Sequence, residues 1–263
     1  MNPLDLQPRR NLPRIYALEA KYEFLKLFRL PAYVVPTLAF PLFFYLLFGL
    51  TFRNEVVAGK VGMATYLIAT YGTFGVIGAS LFGFGVGVAT ERGQGWMLFK
   101  RATPMPPMAY FAAKTFMSVL FGLLIVAALF TLGATFGGVR LPALTWLSLG
   151  GVLIAGALPF CAFGLALGYF AGPNSAPAVV NLIYLPSAFC SGLWIPIRFL
   201  PHFIQRLALF LPNYHFGRLA LKMIGAGDGG PAWSSVVFLG AFTALSLVAA
   251  RIGFRRDEGK TYG

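Results

Sequence analysis

VGMATYLIATYGTFGVIGASLFGFGVGVA, residues 61–89, runs for 29 positions without an Asp, Glu, Lys, Arg or His. As a helix it would extend about 44 Å at 1.5 Å per residue. That exceeds the roughly 30 Å of hydrocarbon in a bilayer. It lacks the apolar–polar alternation of a barrel strand. The stretch predicts a membrane-crossing helix that tilts or projects beyond the lipid.

Working outward, five more apolar runs have the length to cross, at 32–52, 109–137, 146–170, 178–200 and 232–252. The expected fold class is an all-α integral membrane protein with six transmembrane helices. A transmembrane domain over 32–252 would lie between tails at 1–31 and 253–263. Composition agrees, with 58% of the 263 residues hydrophobic and 11% charged, against about 25% charged in a soluble domain. No apolar run long enough for a cleavable signal precedes residue 32, so insertion is expected through the first span.

The formal charge is +13. The basic residues cluster at the ends of apolar runs, where anionic lipid headgroups attract them, so membrane lipids rather than nucleic acid are the expected partner. With the N-terminus inside, fourteen Lys and Arg fall on the cytoplasmic side and seven on the other. That bias predicts cytoplasmic N- and C-termini; a multi-pass protein of a bacterial inner membrane is expected. Lys114, near the end of the third span, is expected to snorkel to the interface. Cys161 and Cys190 lie inside apolar segments and read as small hydrophobes.

Three segments stand apart from the spans. In residues 13–30, PRIYALEAKYEFLKLFRL, Ile15, Leu18, Tyr22, Leu25 and Phe28 recur at helical spacing, while Glu19, Lys21 and Lys26 lie off that stripe. The pattern predicts an amphipathic helix along the membrane surface, either a plain anchor or a brace for a cytoplasmic partner. Residues 90–108, TERGQGWMLFKRATPMPPM, suit a short helix capped by Thr90, with Glu91 in its first turn and a proline-rich exit. From the residues alone, a loop held by lipid headgroups explains this segment equally well. In residues 191–231, Gly192, Pro196, Pro201 and Pro212 forbid one straight helix, so the backbone is expected to break near the outer interface. His202 and His215 lie there without a carboxylate or cysteine cluster and read as hydrogen-bonding groups, with no metal site expected.

Glu91-Arg92-Gly93, followed by Trp96 and by Arg101-Ala102-Thr103-Pro104, resembles the cytoplasmic signature of type-2 ABC exporter permeases. Ser191-Gly192, followed by the Leu-Pro and Pro-x-Tyr elements up to residue 217, is similar to a second feature of that family. The resemblance covers essentially the whole chain. It implies a coupling segment that includes Glu91, Arg92, Gly93, Trp96 and Arg101, facing an ATPase. It also implies an interfacial helix bearing Tyr22, Lys26 and Arg29, and a re-entrant outer hairpin within 195–230. Glu91 would then pair with a cation of the coupling or interfacial helix. Two ABC ATPase subunits and a second permease half, expected to be a copy of this chain, would complete the transporter. ATP and Mg would bind the partner subunit, with no cofactor on this chain.

The sequence has no G-x-x-x-x-G-K-[ST] loop, since Gly259-Lys260-Thr261 follows Phe254 where the first glycine would stand. The chain is therefore expected to be a permease and not itself an enzyme. A proton-coupled transporter would want ionisable groups at mid-membrane. The remaining alternative, a membrane-embedded enzyme or channel, would want converging polar groups that the spans do not supply. The expected cargo is a hydrophobic or amphipathic molecule, drug-like, lipid or lipid-linked glycan. Tyr66, Tyr71, Asn181 and Tyr184 are the scarce polar groups expected along its path. Gly83 with Gly87, and Gly164 with Gly168, are spaced for close helix packing.

Overall fold

The computed structural model describes residues 12–58, 61–97, 102–103 and 105–258. Five helical stretches are long and apolar enough to cross a membrane: Pro31–Gly49, Met63–Gly93, Met108–Thr135, Ala143–Phe170 and Ala232–Asp257. The remaining run, 178–200, the fifth in chain order, holds a shorter helix, Ala176–Cys190. At 15 residues it measures about 22 Å. It ends because Ser191 and Gly192 turn the chain, with Gly192 at a φ of +76°. A Cβ on Gly192 would stand 2.8 Å from Ile197, so the turn needs glycine for space as well as conformation.

In chain order, α1 (Leu12–Phe28) leads into α2 (Pro31–Phe44). A π turn at Tyr45–Gly49 completes the first span, and a small hairpin pairs Val56–Ala58 with Val61–Gly62. The second span comprises α3 (Met63–Ser80), a π segment at Leu81–Val86, and α4 (Gly87–Gly93). Then follow α5 (Pro107–Thr135), α6 (Ala143–Ala155), α7 (Ala157–Phe170) and α8 (Ala176–Cys190). Two short helices, α9 (His202–Ala208) and α10 (Pro212–Met223), precede the long α11 (Ala232–Glu258).

The second span is the centre of the molecule, with nearly every residue from Ala64 to Gly85 buried. It has no polar face because it has no solvent side: α2, α5, α7, α8 and α10 surround it. The outer faces of α2, α5, α8 and α11 carry exposed Phe40, Phe43, Leu123, Leu182 and Leu245, as a lipid-facing surface requires.

Small residues set the closest approaches. Gly164 and Gly168 of α7 meet the π segment at Gly85: a Cβ on Gly164 would lie 3.2 Å from the Gly85 nitrogen, and one on Gly168 2.9 Å from its carbonyl. Gly83 and Gly87 face elsewhere, towards Met117 with Tyr33 and towards Lys114. Gly156, between α6 and α7, receives the fully buried Phe216 ring of α10, 2.0 Å from where its Cβ would stand. Gly156→Ala is expected to cost about 1–3 kcal/mol through overpacking, read as a lower melting temperature in detergent. Phe216→Leu in the same chain should restore part of the loss.

α1 docks on the bundle by a face other than its apolar stripe. Glu23 and Leu27 are buried against the bundle, whereas Leu18, Tyr22 and Phe28 of the stripe are exposed. Those three residues point outward, to where lipid would be, and α1 docks on α5 through the Glu23 carboxylate together with Phe24, whose ring lies 5.5 Å from that of Phe121.

Candidate functional site

The second span does not stop at residue 89. Nothing breaks the helix before Gly93, and Gly95, at a φ of +74°, ends it. Thr90 and Glu91 therefore occupy the last turn of a spanning helix and do not open a new one. There the negative end of the helix dipole disfavours a carboxylate, and Glu91 is buried as well. It needs compensating cations, and two lysines supply them.

Lys26 of α1 donates to Glu91 Oε1, and Lys114 of α5 donates to the same oxygen at 3.1 Å. The Tyr110 hydroxyl donates to Oε2 at 2.6 Å. Lys114 also donates to Glu23 at 2.5 Å, and Lys26 reaches both Glu23 oxygens at 3.0 and 3.1 Å. Two ammoniums and two carboxylates thus form a closed, formally neutral cluster that ties α1, α4 and α5 together. Lys114 does not snorkel. Its side chain is fully buried, with two carboxylates in reach, and that satisfies the charge better than a path to the interface. Burial alone would lower the Lys26 pKa, but Glu91 and Glu23 outweigh it and hold it above the usual lysine value. The ammonium therefore stays charged at physiological pH.

Arg92 points the other way. One guanidinium nitrogen donates to the Gly168 and Tyr169 carbonyls at 2.6 and 3.0 Å, at the end of α7. The other bonds Asp257 of α11 at 2.6 Å, and the group lies 5.3 Å from the Tyr169 ring centroid. A cation at the carbonyl end of α7 complements that helix dipole. At Gly93 a Cβ would be 2.5 Å from Pro173, so glycine there lets the α7–α8 turn close in. Three consecutive residues thus grip α1 with α5, α7 with α11, and the α7–α8 turn. They also place the N-terminal helix and the C-terminal end of α11 at one end of the bundle.

Trp96 is half-exposed and lines a cavity of about 470 Å³ with Lys26, Glu91, Tyr33 and Pro177. Arg101 lies outside the described residues. Tyr22 is exposed on α1, and Arg29 is exposed in the turn that follows it. Of the four pathway residues, Asn181 and Tyr184 line one groove of about 390 Å³ between α2, α3 and α8. The Tyr184 hydroxyl donates to the Phe74 carbonyl at 2.6 Å there. Tyr71 is packed away, its ring 6.3 Å from that of Phe44, and Tyr66 borders a separate cavity at the opposite end of the bundle. In the 191–231 region, Pro196 precedes a 3-10 turn, Pro201 precedes α9, and Pro212 opens α10. Asn213 bonds Ser187 of α8 at 3.0 Å, and His215 bonds the Leu209 carbonyl at 2.9 Å.

Glu23, Tyr110, Lys114 and Asp257 escaped the sequence reading. Lys114 had a signal, as the single charged residue in the 29 of α5. An ionisable group within a span should be assigned a partner first and a snorkelling role second.

The sequence model of the family described as ABC-2 type transporter matches residues 16–224. A Bacillus subtilis (strain 168) protein described as "Putative transport permease YvfS" is 29% identical over 236 residues, covering 90% of this chain and 95% of that protein.

Proposed function

The chain belongs to the ABC-2 type transporter family, and from that premise we propose that it is the membrane half of an ATP-driven exporter whose ATPase is a separate subunit. The carrying observation is the Glu91 cluster. A carboxylate at the end of the central helix is bonded to both the surface helix α1 and the third span. A push delivered by an ATPase beneath residues 90–108 would pass through this joint into the bundle core, since rigid, fully paired charges transmit displacement with little slack.

In this reading the termini are cytoplasmic and α8 is the fifth, shorter crossing of six. The α9–α10 pair is a re-entrant hairpin at the outer surface. Two copies of the chain form the transport path, with Asn181 and Tyr184 in the groove beside α2 and α8. The cargo is amphipathic or apolar, moved by alternating access. The groove supports this, being walled by Phe40, Phe74 and Trp194 with few polar groups.

The test is co-purification in mild detergent with the ABC ATPase encoded nearest to the chain in its own genome. A stable complex is expected, with an ATPase rate that changes when Glu91-Arg92-Gly93 is replaced by three alanines. If no ATPase associates with the intact chain, the exporter reading is wrong, whatever the fold.

A further inference from the structure

At the end of the bundle opposite Glu91 lies a cavity of about 240 Å³, bounded by the first turns of α3, the break after α8, and α10. Thr70 and Ser191 both line it. Both are buried, at 0% and 5% exposure, and neither hydroxyl has a hydrogen-bond partner among the described residues. Two unpaired buried hydroxyls in one cavity are costly unless something occupies it.

The charges point the same way. Arg218 is already engaged, its Nε bonding both Asp228 oxygens at 2.9 and 2.8 Å and another nitrogen bonding Ser234 and Ser235. Arg198 also lines the cavity, its guanidinium 4.8 Å from the Phe199 ring centroid, with no ion-pair partner among the described residues. The cavity therefore offers one uncompensated positive charge and a set of O–H donors, with Leu193 and Ile197 as apolar wall. The Gly192 turn fixes the position of Ser191 beside it, with Ile197 packed directly on the glycine.

We infer that this cavity binds a phosphate-bearing group, either a lipid headgroup or a free phosphate. A phosphate presents several acceptor oxygens and negative charge to a guanidinium fork and two hydroxyls at once. The apolar wall then accommodates a glycerol or alkyl stem. As a statement about cargo this rests on the exporter reading. As a binding site it stands without it.

The test is titration calorimetry on the purified chain in a non-ionic detergent. The probes are dihexanoyl phosphatidic acid, inorganic phosphate and uncharged dihexanoylglycerol. The expected result is binding of the phosphatidic acid, none of dihexanoylglycerol, and an affinity about tenfold or more weaker in Arg198→Gln. Thr70→Val, close to isosteric, should weaken binding as well. Arg198 is exposed, so its variant should keep the wild-type melting temperature and report binding alone. Competition by inorganic phosphate would identify the anion itself as sufficient, whereas lipid binding without competition would assign the site to headgroups. Equal binding of dihexanoylglycerol, or unchanged affinity in both variants, would overturn the inference. Headgroup binding by a chain that captures no ATPase would keep the site and sink the exporter reading. ATPase capture without headgroup binding would sink the site alone.

Discussion

Replacing Lys114 with Met is expected to destabilise the folded chain by about 3–5 kcal/mol, the cost of removing one partner from a buried ion pair. The magnitude follows from the surroundings. Lys114 is fully buried, and the side chains of Glu23 and Glu91 are only 4% and 6% exposed. Without it, Lys26 must serve two carboxylates, and the cluster passes from neutral to a net charge of −1. The loss should appear as a drop in melting temperature and yield in detergent. The control is the double variant Lys114→Met with Glu23→Gln, which restores neutrality and should recover most of the stability. If Lys114→Met melts like the wild type, the cluster contributes nothing to folding and is no rigid joint. If the single variant is destabilised but the double variant recovers nothing, the loss is one of packing and not of charge.

Glu91→Ala is expected to reduce transport per ATP hydrolysed by about tenfold or more, on the scale of losing charge-assisted bonds worth some 1.5–3 kcal/mol. The variant removes the carboxylate by which α4 is bonded to both α1 and α5, while Glu23 still holds Lys114 and Lys26. The cluster then carries a net charge of +1, so the bundle should lose stability yet still fold, because Lys26, whose side chain is 40% exposed, can turn to water; the ratio is read on monodisperse protein with the ATPase bound. Efflux of a fluorescent amphipathic dye from vesicles containing both subunits measures the numerator, and phosphate release the denominator. Lys26→Ala should move the ratio in the same direction but less, because Lys114 and Tyr110 still bond Glu91. Normal coupling in Glu91→Ala would mean that force enters the bundle elsewhere. Arg92, with its grip on α7 and α11, would be the next candidate.

Membrane insertion is legible in sequence because it depends on local composition: each apolar run partitions into lipid largely on its own account. Residues 61–89 needed no partner to be recognised as a spanning helix, and four of the other five runs correspond to helices long and apolar enough to cross. The run at 178–200 differs because length depends on backbone geometry, and the Gly192 turn follows a helix that ends at Cys190. The Glu91-Arg92-Gly93 motif was equally plain, as was the expectation that Glu91 would meet a cation.

Only the packing of the helices decided which cation, and from where. Lys26 is 65 positions from Glu91, Lys114 is 23, and Asp257 is 165 from Arg92. No local period links such residues. The same holds for the face α1 buries: its apolar stripe follows lipid, while its docking follows Glu23, whose partner lies on α5. Gly85 and Gly156 likewise became contact points only when α7 and α10 were brought against them. Hydropathy is a property of a segment, so the sequence determined that this is a membrane-type chain and which of its runs are apolar enough to cross. Pairing of buried charges is a property of neighbours, so only the tertiary structure decided how its ends are joined to its core.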